Sequence, residues 1–116
     1  MREYDYEIRR GETFEKGFYI ETPEGKPVDL TGMHAKGQIR KQKEDPELTA
    51  EFRCTIDTTI AFVSFGLSAT DTKNIPAGKY EYDVALYEDS TNERVSKYWI
   101  GGKFQVLKAV TDVFED

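Results

Sequence analysis

The sequence predicts an all-β fold, an antiparallel immunoglobulin-like β-sandwich of about seven strands with at most one short helical turn. Apolar residues recur at every second position in several short segments, which is typical of strands with one buried and one solvated face. Turn-forming residues separate these segments at short intervals, as in sandwiches and small barrels. The third observation is a tyrosine that follows a short connection within residues 60–86, the arrangement that links the two sheets of an immunoglobulin-like fold.

The central segment consists of two predicted strands joined by a compact connection. Ser68-Ala69-Thr70-Asp71 has the pattern of a capped helical turn, which Pro76 and Gly78 would end. We predict that Asp71 caps this turn and that Tyr80 is the corner tyrosine. The predicted structural corner consists of Asp71, Pro76, Gly78, Tyr80 and Tyr82.

The remaining strands follow from the same alternation along the chain. They are predicted over residues 4–9, 13–21, 33–40, 48–56 and 94–107. Small residues at Ala35 and Gly37 predict close approach by a neighbouring element, for which Trp99 is the candidate. The pair Gly101-Gly102 is predicted to form a bulge in the last strand. Residues 88–93 lack apolar side chains and are predicted to form a hairpin loop.

The chain has 116 residues, a length that predicts one domain. We assign residues 1–108 to a single sandwich and residues 109–116 to a C-terminal tail, in which Val110 and Val113 are expected to dock and residues 114–116 to fray. The net charge of −6 argues against nucleic-acid binding, because acidic residues follow directly on the one basic cluster at residues 36–43. A charged N-terminal segment without an apolar stretch predicts no signal peptide. No apolar run in the sequence is long enough to cross a membrane.

Candidate catalytic and metal-binding residues are few. His34 and Cys54 are the only histidine and cysteine, too few nitrogen and sulfur ligands for a structural zinc site. We expect an exposed histidine and a buried, unreactive thiol. The oxygen-rich segment 88–93 lacks the spaced pattern of a calcium loop, so a plain turn is the preferred interpretation and calcium the alternative. Asp71 and Asp83 could pair as acid and base, but spacing does not select a pair among 22 carboxylates.

These observations predict a protein that is not an enzyme and has no cofactor. No nucleophile turn of the Gly-x-Ser-x-Gly type and no glycine-rich phosphate loop is present. A small hydrolase is a third hypothesis that would require a cleft with converging carboxylates.

Three aromatic residues form the predicted interaction surface: Tyr87, Tyr98 and Trp99. Tyr98 and Trp99 are adjacent and therefore face opposite sides of a strand. If Trp99 and Tyr87 shared an exposed face, they could stack on a sugar ring, which makes a carbohydrate-binding module the alternative function. The preferred interpretation is that Trp99 packs across the core or into a subunit contact.

Several short segments resemble the N-terminal domains of phage baseplate upper proteins. They are Arg10-Gly11-Glu12-Thr13-Phe14, Pro27-Val28-Asp29-Leu30-Thr31-Gly32, Ile39-Arg40, Phe65-Gly66-Leu67-Ser68, Gly78-Lys79-Tyr80-Glu81-Tyr82-Asp83-Val84 and the closing stretch from Gly102 to Thr111. The resemblance implies a β-sandwich without catalytic residues that binds other phage structural proteins in a tail or baseplate, in the host cytoplasm during assembly and then in the virion. Self-association is a further expectation, because open sandwich edges can recruit another chain.

Overall fold

A computed structural model describes residues 1–90 and 93–114. Its elements in chain order are β1 (Arg2–Glu3), β2 (Tyr6–Arg9), β3 (Phe14–Tyr19), β4 (His34–Arg40), β5 (Ala50–Glu51), β6 (Arg53–Asp57), β7 (Phe62–Leu67), α1 (Ala69–Lys73), β8 (Gly78–Ser90) and β9 (Glu93–Leu107). The predicted all-β sandwich with one short helical turn is confirmed.

The strands form two sheets. The large sheet has the order β1-β9-β8-β4-β5, with β2 also paired to β9, and the small sheet has the order β3-β7-β6. Both β1 and β2 run parallel to β9, whereas the other pairs are antiparallel. The prediction of a purely antiparallel fold is therefore wrong at this edge, because alternation reports which face a residue occupies and not the direction of its neighbour.

The space between the sheets is filled mainly by aromatic rings. Phe52 has its ring centroid 5.2 Å from that of Phe65 and 5.9 Å from those of Phe14 and Phe104. Tyr82 completes this group and packs its ring 5.8 Å from Phe52. A second cluster at the other end of the core contains Ile20, Leu30, Ala61, Val63 and Leu86. Large rings give a core to a chain that is only 38% hydrophobic.

The strand predicted over residues 48–56 is split between the two sheets. β5 pairs with β4 in the large sheet, and β6 pairs with β7 in the small sheet. Phe52 lies at the crossing, where its N–H donates to the Gly37 carbonyl at 2.8 Å and its side chain is buried. A Cβ at Gly37 would lie only 2.9 Å from Cδ2 of Phe52 and 3.0 Å from Cγ2 of Val84. The close neighbours of Gly37 are thus Phe52 and Val84, rather than Trp99 as predicted.

The hairpin of β8 and β9 is longer than predicted. Its ladder continues to the pair Ser90–Glu93, so residues 88–90 belong to a strand and not to a loop. Thr91 and Asn92 lie outside the described residues. The register shift occurs between Val84 and Ala85, which pair with Ile100 and Tyr98 and leave Trp99 as the extra residue. The bulge therefore lies at Trp99, two residues before the predicted glycine pair.

The tail docks through a different residue from those predicted. Val110 and Val113 are 104% and 74% exposed. Phe114 instead lies next to Gly11, and Nζ of Lys73 lies 4.6 Å from its ring centroid. An aromatic ring can pack flat against a glycine and interact with a neighbouring cation through its face. A valine side chain has no such face. Glu115 and Asp116, included in the predicted fraying end, lie outside the described residues.

Candidate interaction surface

The corner residues follow one another along the chain from α1 into β8. The Tyr80 hydroxyl donates to the Pro76 carbonyl at 2.6 Å, the geometry of a tyrosine corner. The Tyr82 hydroxyl donates to the Tyr4 carbonyl, also at 2.6 Å, and so ties the N-terminal edge to the centre of the large sheet. Both side chains are buried, and burial raises the pKa of both phenols. The two hydroxyls therefore link the connection before β8 and the N-terminal edge to β8.

A capping box starts α1. Ser68 is the N-cap and its Oγ accepts from Asp71 N at 3.1 Å, while Asp71 Oδ2 accepts from Ser68 N at 3.2 Å. Asp71 is thus the third residue of the turn and not its N-cap, a correction to the predicted role. These hydrogen bonds with Ser68 hold the pKa of Asp71 below its usual value.

Thr72 was not predicted from the sequence, yet it fixes this end of the sandwich. It is the buried polar side chain among the described residues, and its hydroxyl donates to Glu12 O at 2.8 Å. The same oxygen accepts from Gly11 N at 3.0 Å. The bend between β2 and β3 is therefore locked to α1. A threonine in a five-residue helix gives no sequence signal for this contact, because its partners are about sixty residues away.

The structure separates the three aromatic residues of the predicted interaction surface. Trp99 is partly buried and packs against both core clusters. Tyr98 is 56% exposed. Tyr87 lies beside His34, with ring centroids 5.3 Å apart, and the Arg94 guanidinium lies 4.6 Å from the Tyr87 ring. Because Leu86 faces the core, the next residue, Tyr87, faces outward. Tyr87 and Trp99 therefore do not share the exposed face that sugar stacking on both rings would require.

A cleft opens along the side of the sandwich where β1 and β9 of the large sheet face β3 of the small sheet. Its volume is about 540 Å³. The main aromatic and apolar side chains that line it are Met1, Tyr4, Tyr19, Tyr98 and Trp99. Met1, Tyr19, Tyr98 and Tyr4 are 65%, 60%, 56% and 43% exposed. Exposed methionine and aromatic side chains are enriched at protein interfaces, so this aromatic cleft is the candidate interaction site.

The orientation of Tyr19 is set by its neighbours in the small sheet. Its ring centroid lies 4.7 Å from that of Phe62, and the Phe62 ring in turn covers Gly17. A Cβ at position 17 would overlap the Phe62 ring. Tyr19 alternates with the apolar residues of its strand and therefore faces solvent. This alternation was the sequence signal available for the cleft. Nothing in the sequence of either strand predicts that β1 and β3 lie close together.

The candidate catalytic residues lie apart. Asp71 belongs to α1 and lies 3.4 Å from the Arg53 guanidinium. Asp83 lies on the outer face of the large sheet, where burial raises its pKa against the opposing charges of Lys43 and Arg40. Burial also raises the pKa of the Cys54 thiol to about 11. Within residues 1–90 and 93–114, no group of three or more histidine, cysteine or acidic side chains could hold a metal ion.

Comparisons with known proteins give a likeness in fold. No protein-family model matches the chain, and no curated protein matches it. Among solved structures, the N-terminal domain of ORF48 of phage TP901-1 is similar, with a TM-score of 0.50 and 11% sequence identity. The match covers 91% of this chain and 98% of that domain. At this identity the likeness shows a shared fold. The described residues also contain no helix long and apolar enough to span a membrane.

Proposed function

We propose that this protein is a non-catalytic structural module of a phage or prophage tail or baseplate, and that it binds other virion proteins through the aromatic cleft. It would assemble in the host cytoplasm and remain in the virion. The observation that carries this proposal is the cleft itself, because its exposed aromatic side chains lie between two strand edges.

The phage assignment has two sources of support. Several short sequence segments resemble N-terminal domains of phage baseplate upper proteins. The fold is similar to that of a phage protein domain over nearly the full length of both chains. The role of the aromatic cleft does not follow from either likeness and needs its own test.

The test uses binding to the other tail proteins of the same phage or prophage genome, each produced in purified form. We expect at least one of them to bind, and we expect Tyr19→Ala to weaken that binding by roughly thirtyfold, since interface aromatics often contribute about 2 kcal/mol. Tyr87→Ala is the matched control, because Tyr87 lies on the outer face of the large sheet beside His34. Equal losses in both variants, or no binding to any tail protein, would contradict the proposal.

The carbohydrate alternative can be measured on the same protein. Trp99 is the only tryptophan and lines the cleft, so a sugar bound there should change its fluorescence. Saturable quenching by a glycan, lost in Tyr19→Ala and kept in Tyr87→Ala, would replace the structural role with sugar binding.

A further inference from the structure

The two sheets of the sandwich differ in width at the side of the aromatic cleft. Phe65 of β7 stacks its ring on Tyr82 of β8, with the ring centroids 6.2 Å apart. Phe14 of β3 has its ring centroid 5.2 Å from that of Phe104 of β9. β1 and β2 lie beyond β9 in the large sheet, whereas the small sheet ends at β3. The large sheet therefore extends one strand further than the small sheet at this side.

The backbone of β3 has hydrogen-bonding groups that point toward this side. Ile20 N donates to Ala61 O at 2.9 Å, and these two residues continue the register of β3 with β7. Facing residues in an antiparallel ladder alternate between hydrogen-bonded and non-hydrogen-bonded pairs. The exposed residues whose N–H and C=O groups point away from β7 are therefore Glu15, Gly17 and Tyr19. No other described residue forms a hydrogen bond with these backbone groups.

The opposite edge of the small sheet is covered. β4 lies close to β6 there, and Phe52 N donates to Gly37 O at 2.8 Å. β3 is therefore the edge of the small sheet to which a further strand can be added.

The inner face of β3 is only partly covered. Phe14 is buried, but Phe18 on the same face is partly buried and Lys16 between them is exposed. Phe18 and Trp99 both line the aromatic cleft, and both are partly buried against the core. A strand beside β3 would direct every second side chain toward this face, so these side chains need to be apolar where they meet Phe18 and Trp99.

We propose that the partner in the aromatic cleft binds as an extended strand that pairs with the open edge of β3. This inference rests on the proposed function and specifies the partner, a segment of a tail or baseplate protein with apolar side chains at alternate positions. The backbone of the segment bonds to Glu15, Gly17 and Tyr19 and extends the small sheet. Its apolar side chains enter the cleft beside Phe18 and Trp99.

The shape of this side favours a single extended segment over the edge of a second copy. Pairing of β3 with β3 of a second copy would make the two large sheets overlap, because β1 and β2 extend beyond β3 in each copy. A lone strand needs only the usual spacing of about 4.8 Å beside β3 and of about 10 Å above the large sheet.

The charges around the cleft indicate an acidic side chain in the segment. Lys16 is exposed on the inner face of β3. Arg2 and Lys97 line the cleft, and Nζ of Lys97 lies 4.9 Å from the Trp99 ring centroid. Glu21 is the acidic side chain among the described residues that line it. The cleft is therefore locally basic in a chain with a net charge of −6, and an acidic side chain facing Lys16 would stabilise the strand pair.

A proline at the edge separates backbone pairing from side-chain contact. Glu15→Pro removes an N–H that points away from β7, a position at which edge strands tolerate proline. We expect this variant to bind the purified tail protein at least about tenfold more weakly, since a hydrogen bond is lost and the ring obstructs the approaching strand. Glu15→Ala is the matched control, because it removes the same side chain, keeps the N–H and should bind like the wild type.

Amide hydrogen exchange gives a second measurement, made on the wild-type protein. In the free protein the amides of Glu15, Gly17 and Tyr19 should exchange rapidly, whereas those of Lys16 and Phe18 are protected by β7. The bound partner should slow exchange at the first three residues by about tenfold or more and change the other two little. Protection at every second residue identifies an added strand, since a loop or a helix in the cleft does not bond to alternate amides of β3.

Charge reversal tests the acidic side chain of the segment. Lys16→Glu should bind about fivefold more weakly, because like charges then face each other. Lys79→Glu is the matched control, an exposed reversal on β8 outside the cleft, and should bind like the wild type. Unchanged binding of Lys16→Glu would overturn the assignment of an acidic segment.

The outcomes separate this inference from the proposed function. If Tyr19→Ala weakens binding while Glu15→Pro binds like Glu15→Ala and Gly17 stays unprotected, the cleft binds its partner without strand addition and this inference is overturned. If no tail protein binds, both proposals fall. Protection of the same three amides when the protein alone is concentrated would mean that a second copy supplies the strand, which overturns the assignment to a partner.

Discussion

The Tyr80→Phe substitution tests whether the corner hydrogen bond stabilises the fold. The change keeps the ring, which is 5% exposed in the core. It removes only the hydroxyl that donates to Pro76 O at 2.6 Å. Any loss of stability therefore reports on this bond between the connection and β8.

The expected magnitude follows from the surroundings of the two atoms. Pro76 is exposed, so its carbonyl can bond to water when the phenol is removed, and no buried acceptor is left without a partner. We expect a loss of about 1 kcal/mol in the free energy of unfolding, the usual net value of one hydrogen bond. For a chain of this length that corresponds to about 4 °C in Tm. Tyr80→Ala also removes the buried ring and should cost about 3–5 kcal/mol.

Urea denaturation measures the difference. The midpoint of Tyr80→Phe should fall by about 0.5 M with an unchanged slope. Tyr98→Phe is the matched control, because Tyr98 is 56% exposed and its hydroxyl donates to no other described residue. If Tyr80→Phe unfolds at the same urea concentration as Tyr98→Phe, the corner bond does not stabilise the protein and the reasoning is refuted.

Two further predictions concern packing and thiol reactivity. Gly17→Ala should lower the free energy of unfolding by about 1–3 kcal/mol, because the new methyl group meets the Phe62 ring and lies 2.9 Å from the Val63 carbonyl. Adding Phe62→Leu should recover part of the lost stability. Wild-type stability in Gly17→Ala alone would contradict this packing. Burial raises the pKa of Cys54 to about 11 and disfavours the reactive thiolate, so iodoacetamide should label the folded protein at a rate that still increases above about pH 9. The labelling rate of the urea-unfolded chain should level off at about pH 9, and the same plateau in the folded protein would contradict the effect of the partial burial of Cys54.

The sequence allowed the strands and the corner to be predicted because both depend on local pattern. Alternation placed Tyr80 and Tyr82 toward the core, and Pro76 and Gly78 marked the end of the helical turn. The crossing at Phe52 could not be predicted, since residues 48–56 alternate as one strand would. The switch depends on which strand lies beside each half, and that is decided by packing between the sheets.

The aromatic cleft was predicted only in part for the same reason. Tyr98 and Trp99 were identified, and their opposite parity correctly separated an exposed ring from a packed one. Tyr4 and Tyr19 were missed because Tyr4 lies between β1 and β2 at the large sheet and Tyr19 lies in β3 of the small sheet, and these segments meet only in the folded chain. Tyr87 was grouped with them by its residue type, although it lies beside His34 on the outer face.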